Sequence, residues 1–141
     1  MKRSIQILWA GLVWGPVMFL TAQAMNAPLV ARSNEPVKPI KTWTGNASWY
    51  GEDFDGKKTA NGEEFDSEAL TAAPPTLPFG SIVRVVNPRN HKFEVVRIND
   101  RGPYQEGREI DVSYRVARKI GLTSSGVSKV RLELMQLPQH P

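Results

Sequence analysis

Asp100 and Arg101 end a β-branched run, Val95-Val96-Arg97-Ile98-Asn99, and stand just before Gly102-Pro103. Gly-Pro stops further ladder pairing, so both side chains fall at the mouth of a strand, where a scaffold can hold a group rigidly. A carboxylate in that position can act as a general acid or base once its surroundings tune its proton affinity. The same residues are also good turn formers, because Asn and Asp side chains bond nearby backbone. Two further carboxylates invite the same double reading. Glu63 follows the strong turn pair Asn61-Gly62. Asp111 reads either as an N-terminal helix cap, worth about 1 kcal/mol, or as a second acid of the site.

The elements that must position these groups are mostly strands. Short β-branched or alternating runs cover 47–50, 80–86, 92–99 and 127–134, and Asn87-Pro88-Arg89-Asn90 forms a turn that makes the second and third of them a hairpin. The last run has the cleanest alternation, with Val130, Leu132 and Leu134 on one face and Lys129, Arg131 and Glu133 on the other. One helix interrupts the strands. Ser113 caps it, Val116, Ala117 and Ile120 share a face, Arg118 and Lys119 occupy its last turn and Gly121 closes it. Short strands without a regular helical alternation favour a closed β structure over a doubly wound sheet.

Ahead of the strands, Met1-Lys2-Arg3, an uncharged run over 7–20 and Ala22-Gln23-Ala24 read as a secretory signal peptide over 1–24. Residues 25–42, with Pro28, Pro36 and Pro39, read as an extended linker, 43–137 as the folded domain and 138–141 as a disordered tail. Failure to cleave the leader would leave a membrane anchor; cleavage leaves no stable membrane insertion. No cysteine follows the leader, so no lipid anchor is expected.

The formal charge of +4 belongs to the leader and linker, since the thirteen basic and thirteen acidic residues of 43–141 balance. A nucleic-acid binder would carry a basic stripe, so that class is disfavoured. Seven carboxylates between Glu52 and Glu68 face only Lys57 and Lys58, and most of this run reads as a solvated face. Asp53-Phe54-Asp55-Gly56 is similar to the start of a calcium loop but lacks its later acidic ligands, so no metal is expected.

Six blocks in order resemble the RlpA family of bacterial lytic transglycosylases: Ala47-Ser48-Trp49-Tyr50-Gly51, Gly56 through Glu63, Thr71-Ala72-Ala73, Leu77-Pro78-Phe79-Gly80, Asn99-Asp100-Arg101-Gly102-Pro103 and Ile110-Asp111-Val112-Ser113. The ordered set is more specific than any single block. The resemblance implies a mainly β fold, a six-stranded double-psi β-barrel with one or two short helices, related to expansin-like barrels. It implies endolytic cleavage of the bond between N-acetylmuramic acid and N-acetylglucosamine in peptidoglycan, with formation of a 1,6-anhydro product. The attacking hydroxyl is then the substrate's own O6, so the second carboxylate of ordinary glycosidases is not required.

On this resemblance the catalytic residues are Asp100, as acid and then base, and Glu63, assisting. Tyr50, Trp49, Thr59, Asn61, Arg101 and Asp111 are substrate contacts, and no cofactor is needed. Trp49 and Tyr50 offer faces for sugar stacking or belong to the core, with Tyr50 the more site-facing because its hydroxyl needs a partner. Asp111 also fits the Asp-x-Ser setting of an essential aspartate in expansin barrels. Arg101 is expected to turn outward or toward substrate.

The resemblance implies peptidoglycan glycan strands as the partner, with a preference for strands lacking stem peptides, and a soluble periplasmic location is expected. The short sequence after Leu134 leaves no C-terminal SPOR domain of the kind many relatives carry, and so no septal targeting by that route is expected. The sequence departs from the family where a histidine normally follows Thr-Ala-Ala, because Pro74 stands there and cannot titrate. That loss would cost on the order of 10²- to 10⁴-fold and makes a non-catalytic, expansin-like peptidoglycan-binding module the alternative.

Overall fold

The computed structural model describes residues 36–139. The leader over 1–24, the linker as far as residue 35 and the last two residues of the tail lie outside the described residues. Six strands follow in order: β1 (Lys41–Tyr50), β2 (Thr71–Ala73), β3 (Ile82–Val86), β4 (Phe93–Ile98), β5 (Ile110–Ser113) and β6 (Ser128–Gln136). They close into a barrel in the order β1-β5-β2-β4-β3-β6. Helix α1 (Tyr114–Ile120) follows β5, and a 3₁₀ turn (Glu52–Phe54) follows β1. β1 starts two residues before the expected domain boundary, and Ile40 N–H already bonds Leu134 O at 2.7 Å, so the end of the expected linker is part of the barrel.

Inward-facing β-branched and leucine side chains fill the barrel. Val83 and Val85, Val96 and Ile98, Ile110 and Val112, and Val130 and Leu132 are all buried. The predicted β3–β4 hairpin forms, with Asn87 N–H bonding Lys92 O at 2.9 Å. α1 is too short to persist alone, and it is held by burial of Val116, Ala117 and Ile120. Its ends follow the sequence signals: Ser113 Oγ accepts from Val116 N–H at 3.4 Å, and Gly121 takes the left-handed conformation at φ 75°. Asp111 is therefore not the cap.

β6 alternates as expected except at Glu133. That side chain lies on the outer face with Lys129 and Arg131 but is buried, because Arg131 and Arg84 close over it. The acidic run is a solvated face, as expected, with all seven carboxylates exposed, but several of them hold partners. Asp55 accepts from Ser67 N–H and Oγ at 2.6 and 2.9 Å, Glu63 pairs with Arg97, and Glu68 pairs with Arg118.

The register of the short strands builds the site. β1 and β5 run parallel with Ser48 opposite Asp111, and β2 runs antiparallel to β5 with Ala73 opposite Asp111. On its other edge β2 runs parallel to β4, with Ala72 opposite Ile98. Ala73 thus has Asp111 on one side and the Asn99-Asp100 exit of β4 on the other. This is how two aspartates eleven positions apart come to face one opening.

Candidate active site

Asp100 and Asp111 line one cavity of about 320 Å³. Tyr50, Ala73 and Gly102 line it as well, and Arg101 and Arg108 add two guanidinium groups. Aromatic rings stand at its rim. Phe54 is 47% exposed and meets Tyr50 edge-on at 5.8 Å between ring centroids, and Tyr104, on the loop between β4 and β5, is 90% exposed.

Each aspartate is tied to the scaffold through Oδ1. Asp100 Oδ1 accepts from Ala60 N–H and from Arg101 N–H, both at 2.8 Å. Asp111 Oδ1 accepts from Ser48 Oγ, which in turn accepts from Arg108 Nη1 at 3.2 Å. In neither residue does Oδ2 have a hydrogen-bond partner among the described residues, and Asp111 Oδ2 faces Gly102, whose φ of 152° disfavours a side chain. Burial pushes the Asp111 carboxyl above the usual range, reinforced by the charge of Asp100 and opposed by Ser48 and Arg108. Tyr50 is pushed well up by burial, then by Asp100 and Asp111, so it stays a neutral phenol. Its hydroxyl is buried without a protein partner among the described residues.

Arg101 turns away from the Asp100 carboxylate. Its guanidinium lies 3.7 Å from the Phe79 ring centroid and donates to the Asp100 carbonyl at 3.2 Å. Stacked on Phe79, Arg101 also lines the cavity.

Glu63, Asn61 and Thr59 form a separate cluster beside the cavity. Glu63 takes both Arg97 Nη1 and Nη2 at 2.8 Å, Asn61 Nδ2 at 3.0 Å and Asn99 Nδ2 at 3.3 Å. Thr59 Oγ1 donates to Asn61 Oδ1 at 2.7 Å, which also accepts Glu63 N–H at 3.1 Å. The Arg97 bonds, opposed by some burial and supported by Asn61 and Asn99, hold the Glu63 carboxyl down at about 2.

Of the eight residues proposed from sequence, Asp100, Asp111, Arg101 and Tyr50 therefore share the cavity. Thr59, Asn61 and Glu63 stand behind Asp100, and Trp49 lies elsewhere. Strand alternation turns Trp49 away from Tyr50, and its ring packs on Tyr114 at 5.4 Å. Phe54, Tyr104, Arg108, Ser48 and Arg97 were not singled out in the sequence. Gly102-Pro103 just before Tyr104 and the Ser48 inside its block were the signals available for two of them; Arg97 looked like an ordinary outward strand residue. Pro74, buried directly after β2, does not line the cavity.

A family model described as lytic transglycolase matches residues 42–132. The chain belongs to this family. The probable endolytic peptidoglycan transglycosylase RlpA of Synechocystis is 59% identical over 100 residues, 71% of this chain and 30% of that protein. The endolytic peptidoglycan transglycosylase RlpA of Neisseria meningitidis serogroup A is 52% identical over 92 residues, 65% of this chain and 38% of that protein. The chain thus spans about a third of the length of these curated relatives. Among solved structures, the Streptomyces papain inhibitor aligns with a TM-score of 0.57 at 21% identity, over 72% of this chain and all of that one. The apo expansin of Clavibacter michiganensis aligns at 0.55 and 16% identity, over 72% of this chain and 54% of that one. The barrel is the double-psi fold that the sequence blocks imply.

Proposed function

We propose that this chain is an endolytic peptidoglycan lytic transglycosylase acting on glycan strands outside the cytoplasm. The observation that carries the proposal is the pair of aspartates, each anchored through one oxygen and open through the other, in a cavity with aromatic rims. In the reaction the bond from muramic acid C1 to the N-acetylglucosamine O4 breaks, and O4 takes a proton. The muramic acid O6 loses its proton and bonds C1, so no water is consumed. Asp100, which lines the cavity and whose Oδ2 has no hydrogen-bond partner among the described residues, is the group assigned to this acid–base work, with Glu63 assisting. Phe54 and Tyr104 supply apolar faces against which pyranose rings stack.

This assignment extends to the whole chain what the family membership supports for its barrel. We place the chain in the periplasm, released by cleavage after residue 24 and without a lipid anchor, acting on strands lacking stem peptides. Among the described residues no helix is long and apolar enough to cross a membrane.

A second reading has one observation in its favour. A point variant of the Clavibacter michiganensis expansin, with the same fold, was solved in complex with cellohexaose, so such a barrel can hold a polysaccharide. With Pro74 in place of the family's histidine, this chain would then bind glycan without cutting it.

One experiment separates the two. The purified chain is incubated with peptidoglycan strands stripped of stem peptides, and the released sugars are analysed by mass spectrometry. Products ending in 1,6-anhydro-N-acetylmuramic acid, absent with Asp100→Asn, are expected. Co-sedimentation with peptidoglycan but no product would establish the binding module instead.

A further inference from the structure

Glu63 does not line the cavity, and its carboxylate already accepts four hydrogen bonds from Arg97, Asn61 and Asn99. The loop it belongs to nevertheless reaches Asp100. Thr59 N–H bonds Glu63 O at 2.9 Å, Gly62 N–H bonds Thr59 O at 3.0 Å and Asn61 N–H bonds Asn99 O at 3.2 Å, so residues 59–63 form a tight turn pinned to the exit of β4. The backbone N–H that this turn exposes at Ala60 is one of the two that orient Asp100. Arg97 sits on β4 three residues before Asp100, so the Glu63–Arg97 pair joins the turn to the strand that carries the reactive carboxylate.

We propose that Glu63 and Arg97 are positioning residues: their two-point ion pair clamps the 59–63 turn onto β4 so that Ala60 N–H holds Asp100 Oδ1 and leaves Oδ2 aimed into the cavity. This rests on the assignment of Asp100 to the chemistry, and it states how Glu63 assists. Glu63 transfers no proton in this arrangement. Its charged partner supports that, because a carboxyl held at about 2 is ionised at neutral pH and has no proton to give. As a base it is equally ill suited, since its oxygens are engaged by donors. Arg97 gains a role in the reaction although it never meets substrate. A displacement of the order of 1 Å at a reacting group can cost about 10²-fold in rate, so a clamp one hydrogen bond removed from Asp100 is worth measuring.

The test uses the full chain and the variants Glu63→Ala, Glu63→Gln, Arg97→Ala and the double alanine variant, with turnover of stripped glycan strands and the exchange rate of the Ala60 amide by NMR as readouts. Both single alanine variants are expected to lose about 10- to 100-fold in kcat with KM within about twofold, because the damage is to orientation and not to binding. The double variant should fall no further than the weaker single one, since the two side chains act as one device. Glu63→Gln, which keeps an acceptor for Arg97, should lose less than Glu63→Ala. The Ala60 amide should exchange at least about tenfold faster in the alanine variants. Glu63→Gln as inactive as Asp100→Asn, with Arg97→Ala within about twofold of the parent, would overturn the proposal in favour of proton transfer by Glu63. If the parent chain itself releases no anhydro product, the assigned reaction falls and the amide decides alone: unchanged Ala60 protection in both alanine variants refutes the clamp.

Discussion

Glu133 on β6 and Asp111 on β5 are both drawn from solvent by a strand, and their surroundings push them in opposite directions. Burial raises each, but at Glu133 the bonds from Arg131 and Arg84 and both positive charges outweigh it and hold the carboxyl below its usual range. At Asp111 burial prevails, Ser48 and Arg108 offset only part of it, and the charge of Asp100 adds to the rise. A carboxylate enclosed by two guanidiniums is an anchor without proton chemistry. One given a hydroxyl, a more distant guanidinium and a like-charged neighbour remains able to exchange a proton. The barrel therefore carries both kinds on its strands and keeps the second kind for its opening.

Four substitutions break or sharpen this contrast. The largest effect is expected at the opening itself, where Asp100→Asn should lower turnover by about 10²- to 10⁴-fold with an unchanged circular dichroism spectrum. Glu133→Ala should leave turnover near the parent value but cost about 2 kcal/mol in urea unfolding. That is less than a fully enclosed pair would cost, because Arg84 and Arg131 keep 32% and 44% of their side-chain surface in solvent. The Glu133 contribution is present above its unfolded value of about 4.3 and is lost as pH falls through its depressed folded value, so Glu133→Gln should flatten the stability profile in acid below about pH 4.3.

Asp111→Asn should show the smallest effect on stability and the opposite sign. A raised carboxyl keeps its proton longer in the folded state, so the native chain loses stability as pH rises from about 3.9 through the folded value. Removing that charge should raise stability at pH 7, with the gain gone below about pH 3.9. A loss of stability at pH 7 would mean that the Ser48 bond outweighs burial at this position.

Much of this arrangement was legible in the residues. The hairpin, the capped helix and the alternation of Val130, Leu132 and Leu134 follow from local rules that tertiary packing then respects. β2 and β5, with three and four residues, were too short to show a period, and their strand character comes from pairing with partners far along the chain. Asp100 was legible because Gly102-Pro103 marks a strand exit. Glu63 was legible as a position but not in its role, because the decisive partner, Arg97, lies thirty-four residues away and looks like any outward-facing strand residue. Glu133 was misplaced in solvent for the same reason, since Arg84 reaches it from a strand forty-nine residues earlier.

The pairing of β1 with β6, from Lys41 opposite Leu134 to Ala47 opposite Ser128, has a consequence for the birth of the protein. The first strand finds one of its two neighbours only when β6 has been made, so the barrel cannot close before then. Because β1 also waits for β5, almost nothing at the N-terminal side can be fixed by local contacts, and closure is a late, whole-chain event of the slow, non-local kind. Until then both edges of β1 remain open. A chain with that topology stays open, and so threadable, until β6 has been made.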